Sequence, residues 1–377
     1  LPEIVGISEG RGVQIFRNDG TLELTTADTI WPATGYTNPA PTIANVNNTG
    51  FAEVVVGRYV LTFEHDANGN LVHVDTFSGS LMNGTQGQGP AVCITNLVGD
   101  TKQEIVAGST AYGFPSAPAG AMKRADCAMF PPQNAEETSY CNGQLLVAWD
   151  GQTVNGTALI PNARRDGFCA VADVLGVDES IAPSPTNPLD GNPEVVLINE
   201  GYLTILDGAT GTLLRGTNLG SGTDGGAPNV DDYDGDGFPE IGSAFGTSMQ
   251  VLDLQDTSAT CPAWPTILQD SVSLSGPQTN PVRTPPSVQC TSDADCQAVD
   301  NSTVCNEITQ ACVCLHNGWK RGTEDDSSRV TGSSVFDFNG DGGAEVIYND
   351  ECFFRLYDGL TANVLFKEAS ESWTRIE

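Results

Sequence analysis

Apolar residues along this chain come in short runs separated by Asn, Asp and Gly, and one stretch holds four such runs in succession. "APTIANV" (40–46), "AEVVVGR" (52–58), "YVLTFEHD" (59–66) and "LVHVDTF" (71–77) are rich in β-branched and aromatic residues, and "ANGN" (67–70) supplies the turn between the last two. Runs of this length bounded by turn residues predict strands rather than helices. Equivalents of the third run recur as "GVQIFRNDG" from Gly12, "GQLLVAWDG" from Gly143, "GYLTILDGATG" from Gly201, "SMQVLDL" from Ser248 and "FFRLYDGLTA" from Phe353. Almost no segment keeps a helical period.

The loop between the first two runs also recurs: "NVNNTGFAEVVVG" from Asn45, "NLVGDTKQEIVAG" from Asn96, "DGNPEVVLIN" from Asp190, "DYDGDGFPEIGSA" from Asp232 and "DFNGDGGAEVIYN" from Asp337. The opening "LPEIVGI" is the tail of a sixth copy. In each copy a glutamate (Glu3, Glu53, Glu104, Glu194, Glu240, Glu345) precedes an apolar run, at separations of 50, 51, 90, 46 and 105 residues. A unit near 50 residues with two insertions accounts for this spacing. Four-strand units of that size, repeated, predict an all-β chain of β-propeller blades; an open sandwich is the alternative. The blades fall at about 1–30, 40–80, 90–160, 168–218, 225–330 and 332–377, the last partial.

Charge sharpens the picture. The 377 residues carry 48 acidic against 16 basic side chains, a formal net charge of −32, which argues against nucleic acid as a partner and for cations. No apolar run reaches membrane-helix length, so no membrane insertion is expected. "DDYDGDGFPEIG" (231–242) concentrates five acidic residues around its glycines. Carboxylates a few ångströms apart repel by roughly 1 kcal/mol per pair even in water, so a counter-ion is expected there.

The repeated loop resembles the calcium-binding propeller repeats of the FG-GAP/VCBS type, the family that includes the integrin α-subunit head. That family's loop reads roughly Asp-x-Asp/Asn-x-Asp-Gly-x-x-Asp/Glu before a strand. Two copies match in full: Asp232, Asp234, Asp236, Gly237, Glu240 and Asp337, Asn339, Asp341, Gly342, Glu345. The resemblance implies Ca2+ at both, with main-chain carbonyls of Phe238 and Gly343 completing the ligand sets. Calcium takes six to eight oxygens at about 2.3–2.6 Å, which alternate carboxylates on a tight loop can supply. The glycine permits the loop's reversal. Asn45, Asn47, Thr49 and Glu53 keep oxygen at every ligand position with one full charge, giving a weak site or a hydrogen-bonded turn. Asn96, Val98, Asp100 and Glu104 lack a ligand at valine and predict an empty loop. Asp173 opens another loop that Asp190 and Glu194 end after a 16-residue interruption, leaving a metal site or a plain turn open. Because glutamate persists where other ligands are lost, a structural role capping loop N–H groups is expected in those copies.

The insertions are where binding is expected, since loops on a rigid scaffold carry function. The first, 109–142, is read between the second and third strands of its blade. Cys127 and Cys141 are expected to pair across it, with "MKR" (122–124) and Phe114, Phe130 and Tyr140 as a candidate binding patch or an ordinary pinned loop. The second, 255–317, carries Cys261, Cys290, Cys296, Cys305, Cys312 and Cys314, enough for three disulfides in an otherwise polar segment. Zinc is the weaker reading there, since paired Cys-x-x-Cys units are missing and His316 is the one nearby histidine. Cys93, Cys169 and Cys352 are read as buried free thiols. Eleven cysteines suit an oxidising compartment, so an extracellular or cell-surface location is expected.

No nucleophile elbow, zincin pair or phosphate loop occurs, and His65 with His73 read as a cross-strand pair on one blade. The expected function is a calcium-stabilised binding or adhesion module for a protein or glycan. The alternative is a calcium-dependent polysaccharide lyase or hydrolase. The ends, Leu1 within a repeat and "SWTRIE" where another first strand begins, predict a piece of a longer propeller of about seven blades, of which about six are represented.

Overall fold

The computed structural model describes residues 3–8, 12–26, 39–49, 51–85, 89–99, 102–151, 153–154, 157–158, 165–179, 183, 186–199, 202–218, 226–235, 237–245, 248–254, 268–269, 303–306, 311–314, 319–322, 333–340, 342–349 and 352–370. Among them six blade-like sheets follow one another, five of them meanders of sequence neighbours. The first has three strands, Ile4–Ser8, Gly12–Phe16 and Leu22–Thr25. The second has Thr42–Ala44, Glu53–Val56, Tyr59–His65 and Leu71–Ser78. The third has Cys93–Thr95, Glu104–Ala107, Thr110–Gly113 and Leu146–Asp150. The fourth has Phe168–Ala172, Glu194–Asn199, Tyr202–Asp207 and Leu213–Asn218. In the fifth, Asn229–Asp231, Glu240–Phe245, Ser248–Leu252 and Trp319–Gly322 run antiparallel, and Leu268–Gln269 adds a parallel edge. The sixth has Ser333–Phe336, Glu345–Asn349, Phe353–Tyr357 and Val364–Ala369.

The chain divides into two compact units. One holds the first three sheets and most of the fourth; the other holds residues 172–194 with the fifth and sixth. Within each, sheets stack face to face, and side chains alternate between the two neighbours. Val54 and Val56 join Val13 and Ile15 on one side, whereas Val55 joins Val60, Phe77 and Ile105 on the other. Burial on both faces is why the second strands read as unbroken apolar runs. Trp149 and Trp319 add a polar tie between stacked sheets. Each fourth-strand indole donates its Nε1–H to a carbonyl in the Asp-Gly hairpin of the next sheet, Gly208 at 2.8 Å and Gly359 at 2.5 Å. Gly211, at φ +70, leaves room for the Trp149 ring, with which a Cβ there would clash.

Several expectations are corrected. The insertion of the third sheet lies between its third and fourth strands, because Thr110–Gly113 pairs with Glu104–Ala107 and then with Leu146–Asp150. Cys93 and Cys169 are not free thiols but form a disulfide spanning 76 residues, and Cys352 is exposed rather than buried. His73 stands opposite Phe63 and His65 opposite Leu71, so the histidines do not pair; each packs on a phenylalanine ring instead. The expected Cys127–Cys141 disulfide is present. Cys261, Cys290, Cys296 and His316 lie outside the described residues. Of the 255–317 insertion, the hairpin Thr303–Asn306 with Ala311–Cys314 places Cys305 opposite Cys312 and Thr303 opposite Cys314.

Candidate metal loops

The repeated glutamate opens the second strand of its sheet and turns its carboxylate back into the preceding loop. Oε2 of Glu53, Glu104, Glu240 and Glu345 accepts the backbone N–H seven residues earlier, from Val46 (2.9 Å), Leu97 (2.8 Å), Tyr233 (2.7 Å) and Phe338 (2.7 Å). Glu194 does the same for Val174 and Leu175 across its longer loop. All five side chains are buried, at 0–3 % exposure. An orphaned buried N–H costs about 1–3 kcal/mol, so this cap explains why glutamate survives in the loop that places Val98 at a ligand position.

The loops share a backbone as well. Their fourth position is left-handed in all four short copies: Asn48 at φ 61, Gly99 at 74, Gly235 at 79 and Gly340 at 76. The two full matches repeat this two residues on, at Gly237 (92) and Gly342 (98), beside Phe238 and Gly343. The first-position aspartate is held by these turns. Asp232 accepts Gly235 N–H on Oδ1 (2.7 Å) and Gly237 N–H on Oδ2 (2.8 Å); Asp337 accepts Gly340 (2.6 Å) and Gly342 (3.1 Å) likewise. A carboxylate oxygen has two lone pairs, so accepting one N–H does not bar it from a metal ion.

Ligand oxygens of Asp232, Asp234 and Glu240 lie within 4.8 Å of one another. Oxygens bound to one calcium at about 2.3–2.6 Å stand at most about 5 Å apart, so these three side chains fit one ion. In the second full match, Asn339 Nδ2 donates to Glu345 Oε1 at 2.6 Å, and Asp337 faces the loop amides. Asp236 and Asp341 lie outside the described residues. The two loops are neighbours: the Asp232 carbonyl accepts Ala344 N–H at 2.9 Å, and a Cβ on Gly235 would lie 3.4 Å from the Gly342–Gly343 peptide.

In the loop from Asn45, Asn47 Nδ2 donates to Glu53 Oε1 (2.6 Å), and Asn47 Oδ1 accepts both the N–H and hydroxyl of Thr49. These bonds form a hydrogen-bonded turn, while Asn45 Oδ1 at its first position is buried without a partner among the described residues. In the loop from Asn96, Asn96 Oδ1 accepts Gly99 N–H at 2.9 Å. The interrupted loop is drawn together despite its length, because Asp173 Oδ2 accepts Gly191 N–H at 2.6 Å beside Asp190. Burial and, secondarily, the charge of Asp190 hold the Asp173 carboxyl above its ordinary range.

Burial pushes Glu53 and Glu194 up to about 7, against the opposing pull of their amide donors. A carboxyl whose folded pKa exceeds its unfolded one contributes stability that is fully present below the unfolded pKa, near 4.5, and lost as pH rises through about 7. In chelator, Glu53→Gln is therefore expected to flatten the fall in unfolding midpoint between about pH 5 and pH 8. Equal slopes in variant and parent would contradict it.

Asp166 and the buried Arg165 escaped the sequence reading. Asp166 Oδ1 accepts the N–H groups of Asn83, Gly84 and Thr85, and its Oδ2 accepts the Thr85 hydroxyl at 2.7 Å. Arg165 beside it is 6 % exposed and ion-pairs with Asp150. Neither partner is near in sequence, so no local signal marks them.

No family model matches the chain, and no curated protein does. Among solved structures it is similar to the V. cholerae biofilm matrix protein Bap1, with 14 % identity and a TM-score of 0.46 over 99 % of this chain and 68 % of that one. It is also similar to the Pseudomonas aeruginosa PilY1 C-terminal domain (10 %, TM-score 0.44, 96 % and 79 %). An Agrocybe aegerita lectin that recognises non-reducing terminal N-acetylglucosamine follows (13 %, TM-score 0.38, 97 % and 76 %).

Proposed function

We propose that this chain is an exported β-propeller of the FG-GAP/VCBS type, stabilised by calcium at the loops of Asp232 and Asp337, that binds a protein or glycan partner. The two disulfides among the described residues fit an oxidising compartment. Among the described residues no helix is long and apolar enough to cross a membrane.

The observation that carries the binding role is the anchoring of the third sheet's insertion by a disulfide, ion pairs and buried aromatics. Phe114 and Tyr140 do not form a surface patch; they are 4 % and 7 % exposed and pack with Phe77 at ring distances of 4.5 and 5.2 Å. Lys123 and Arg124 of the "MKR" segment are equally committed. Lys123 pairs with Glu64 at 3.0 Å, and Arg124 N–H donates to Asp75 at 2.8 Å while its guanidinium lies over Phe77. Helix Ala135–Asn142, capped by Asn134 on Glu137 N–H and ended by left-handed Gly143, carries Glu136 to Lys102 at 3.2 Å. What the anchored lobe presents outward is Met122 and Met129, 89 % and 72 % exposed, with Phe130 beside Gly120. Exposed, polarisable side chains on a fixed frame suit a binding surface.

Retention on immobilised neutral glycans, with separate incubation on acidic polysaccharides read by product absorbance, tests this reading. Retention that is lost in Met122→Glu/Met129→Glu, with no unsaturated sugar product from the incubation, is expected. Appearance of unsaturated product would make the chain a lyase instead.

A further inference from the structure

The loops of Asp232 and Asp337 lie in the same compact unit, and a single peptide group joins them. The peptide between Gly343 and Ala344 donates its N–H to the Asp232 carbonyl at 2.9 Å. Its other end is the Gly343 carbonyl, the main-chain ligand expected for the Asp337 loop. A peptide group is planar and rigid, so its two ends can only turn together. Across the hydrogen bond stands Asp232, whose side chain opens the neighbouring loop and is held there by the Gly235 and Gly237 N–H groups. The sixth sheet's Asp-Gly hairpin closes over this junction. Gly359 packs so tightly on the carbonyls of Tyr233 and Ala344 that a Cβ would clash with both, and the Trp319 indole holds the Gly359 carbonyl in turn. One residue of each acidic loop is thus fixed by the same hairpin.

Resting on the calcium reading above, we propose that the two loops are coupled sites, in which calcium held at either raises the affinity of the other through the Gly343–Ala344 peptide. Ligation of the Gly343 carbonyl fixes the peptide plane and polarises its N–H into a stronger donor. That secures the Asp232 backbone behind its carboxylate, and linkage makes the effect reciprocal. Repulsion between the two cations acts the other way and weakens with salt, whereas the hydrogen bond persists. The coupling is therefore expected to be largest at high ionic strength.

Calorimetric calcium titration of the intact chain at about 1 M salt tests this, since charge effects of the substitutions are then screened beyond about 3 Å. Asp234→Ala and Asp337→Ala each report the association constant of the one loop left intact. For independent sites, the product of the parent's two stepwise constants equals the product of these two single-loop constants. The expected result is a parent product larger by at least about fivefold. Ala344→Pro, which lacks the N–H, is expected to bind both ions without that surplus, and Ala344→Gly to keep it. Equal products, or an undiminished surplus in Ala344→Pro, would overturn the coupling while leaving two calcium sites. If Ala344→Pro fails to fold, the comparison of products decides alone. A parent that takes up no calcium would overturn the coupling together with the calcium reading beneath it.

Discussion

Truncating Trp149 to alanine is expected to destabilise the protein by about 3–5 kcal/mol, the usual range for deleting a large buried aromatic. The ring is 6 % exposed among Leu97, Val106, Ala111, Val195 and Leu206, where the third and fourth sheets meet. Alanine removes that packing and also orphans the Gly208 carbonyl. Trp149→Phe keeps most of the ring and loses chiefly the hydrogen bond, so its cost is expected nearer to about 1 kcal/mol. Equilibrium urea unfolding measures both. Equal costs for the two variants would mean that the Nε1–H bond, not burial, holds the sheets together.

Removing calcium is the second large effect expected. Ligand at about a hundred times its dissociation constant stabilises the folded state by about 2.7 kcal/mol per site. Without the ion, Asp232, Asp234 and Glu240 crowd their oxygens within 4.8 Å in a chain of net charge −32, and the loop of Asp337 lies against them. Chelation is therefore expected to lower the unfolding midpoint clearly. Glu104 supplies the contrast, since its loop carries Val98 in a ligand position while its carboxylate still caps Leu97. Glu104→Ala is expected to destabilise by about 1–3 kcal/mol equally with and without calcium. A calcium-dependent cost there would mean that loop, too, binds the ion.

Much of the fold was legible because its rules are local. Continuous runs such as Val54–Val56 report burial on both faces, and the recurring Asx-Gly turns mark where each strand stops. The candidate loops were legible for the same reason, down to a dual reading of their glutamates. What escaped depends on long-range neighbours. Cys93 and Cys169 each sit in a strand, as buried thiols commonly do, and only the stacking of the third and fourth sheets brings them together. Phe114 and Tyr140 looked like surface aromatics of a loop, yet Phe77 from another sheet gives them a core. The strand Leu146–Asp150 was misplaced by one position because Thr110–Gly113 is short and follows the preceding strand by a two-residue turn. The helix Ala135–Asn142 did carry a local signal, Asn134 with Glu137 and Gly143, in a segment dominated by its cysteines.

These features share one design: sheets stacked through alternating rows, with a glutamate pinning five of the described inter-strand loops. The segment inserted between strands is a disulfide-closed lobe that leaves Met122 and Met129 exposed, which is where the proposed binding role is to be tested.

Isothermal titration of chelator-treated protein with calcium, run on the parent and on Asp234→Ala, tests the central claim most directly. The account predicts saturable calcium binding in the parent, with one site fewer in the variant while the Asp337 loop still titrates. No binding in the parent, or an unchanged number of sites in Asp234→Ala, would contradict it and leave the acidic loops as capped turns.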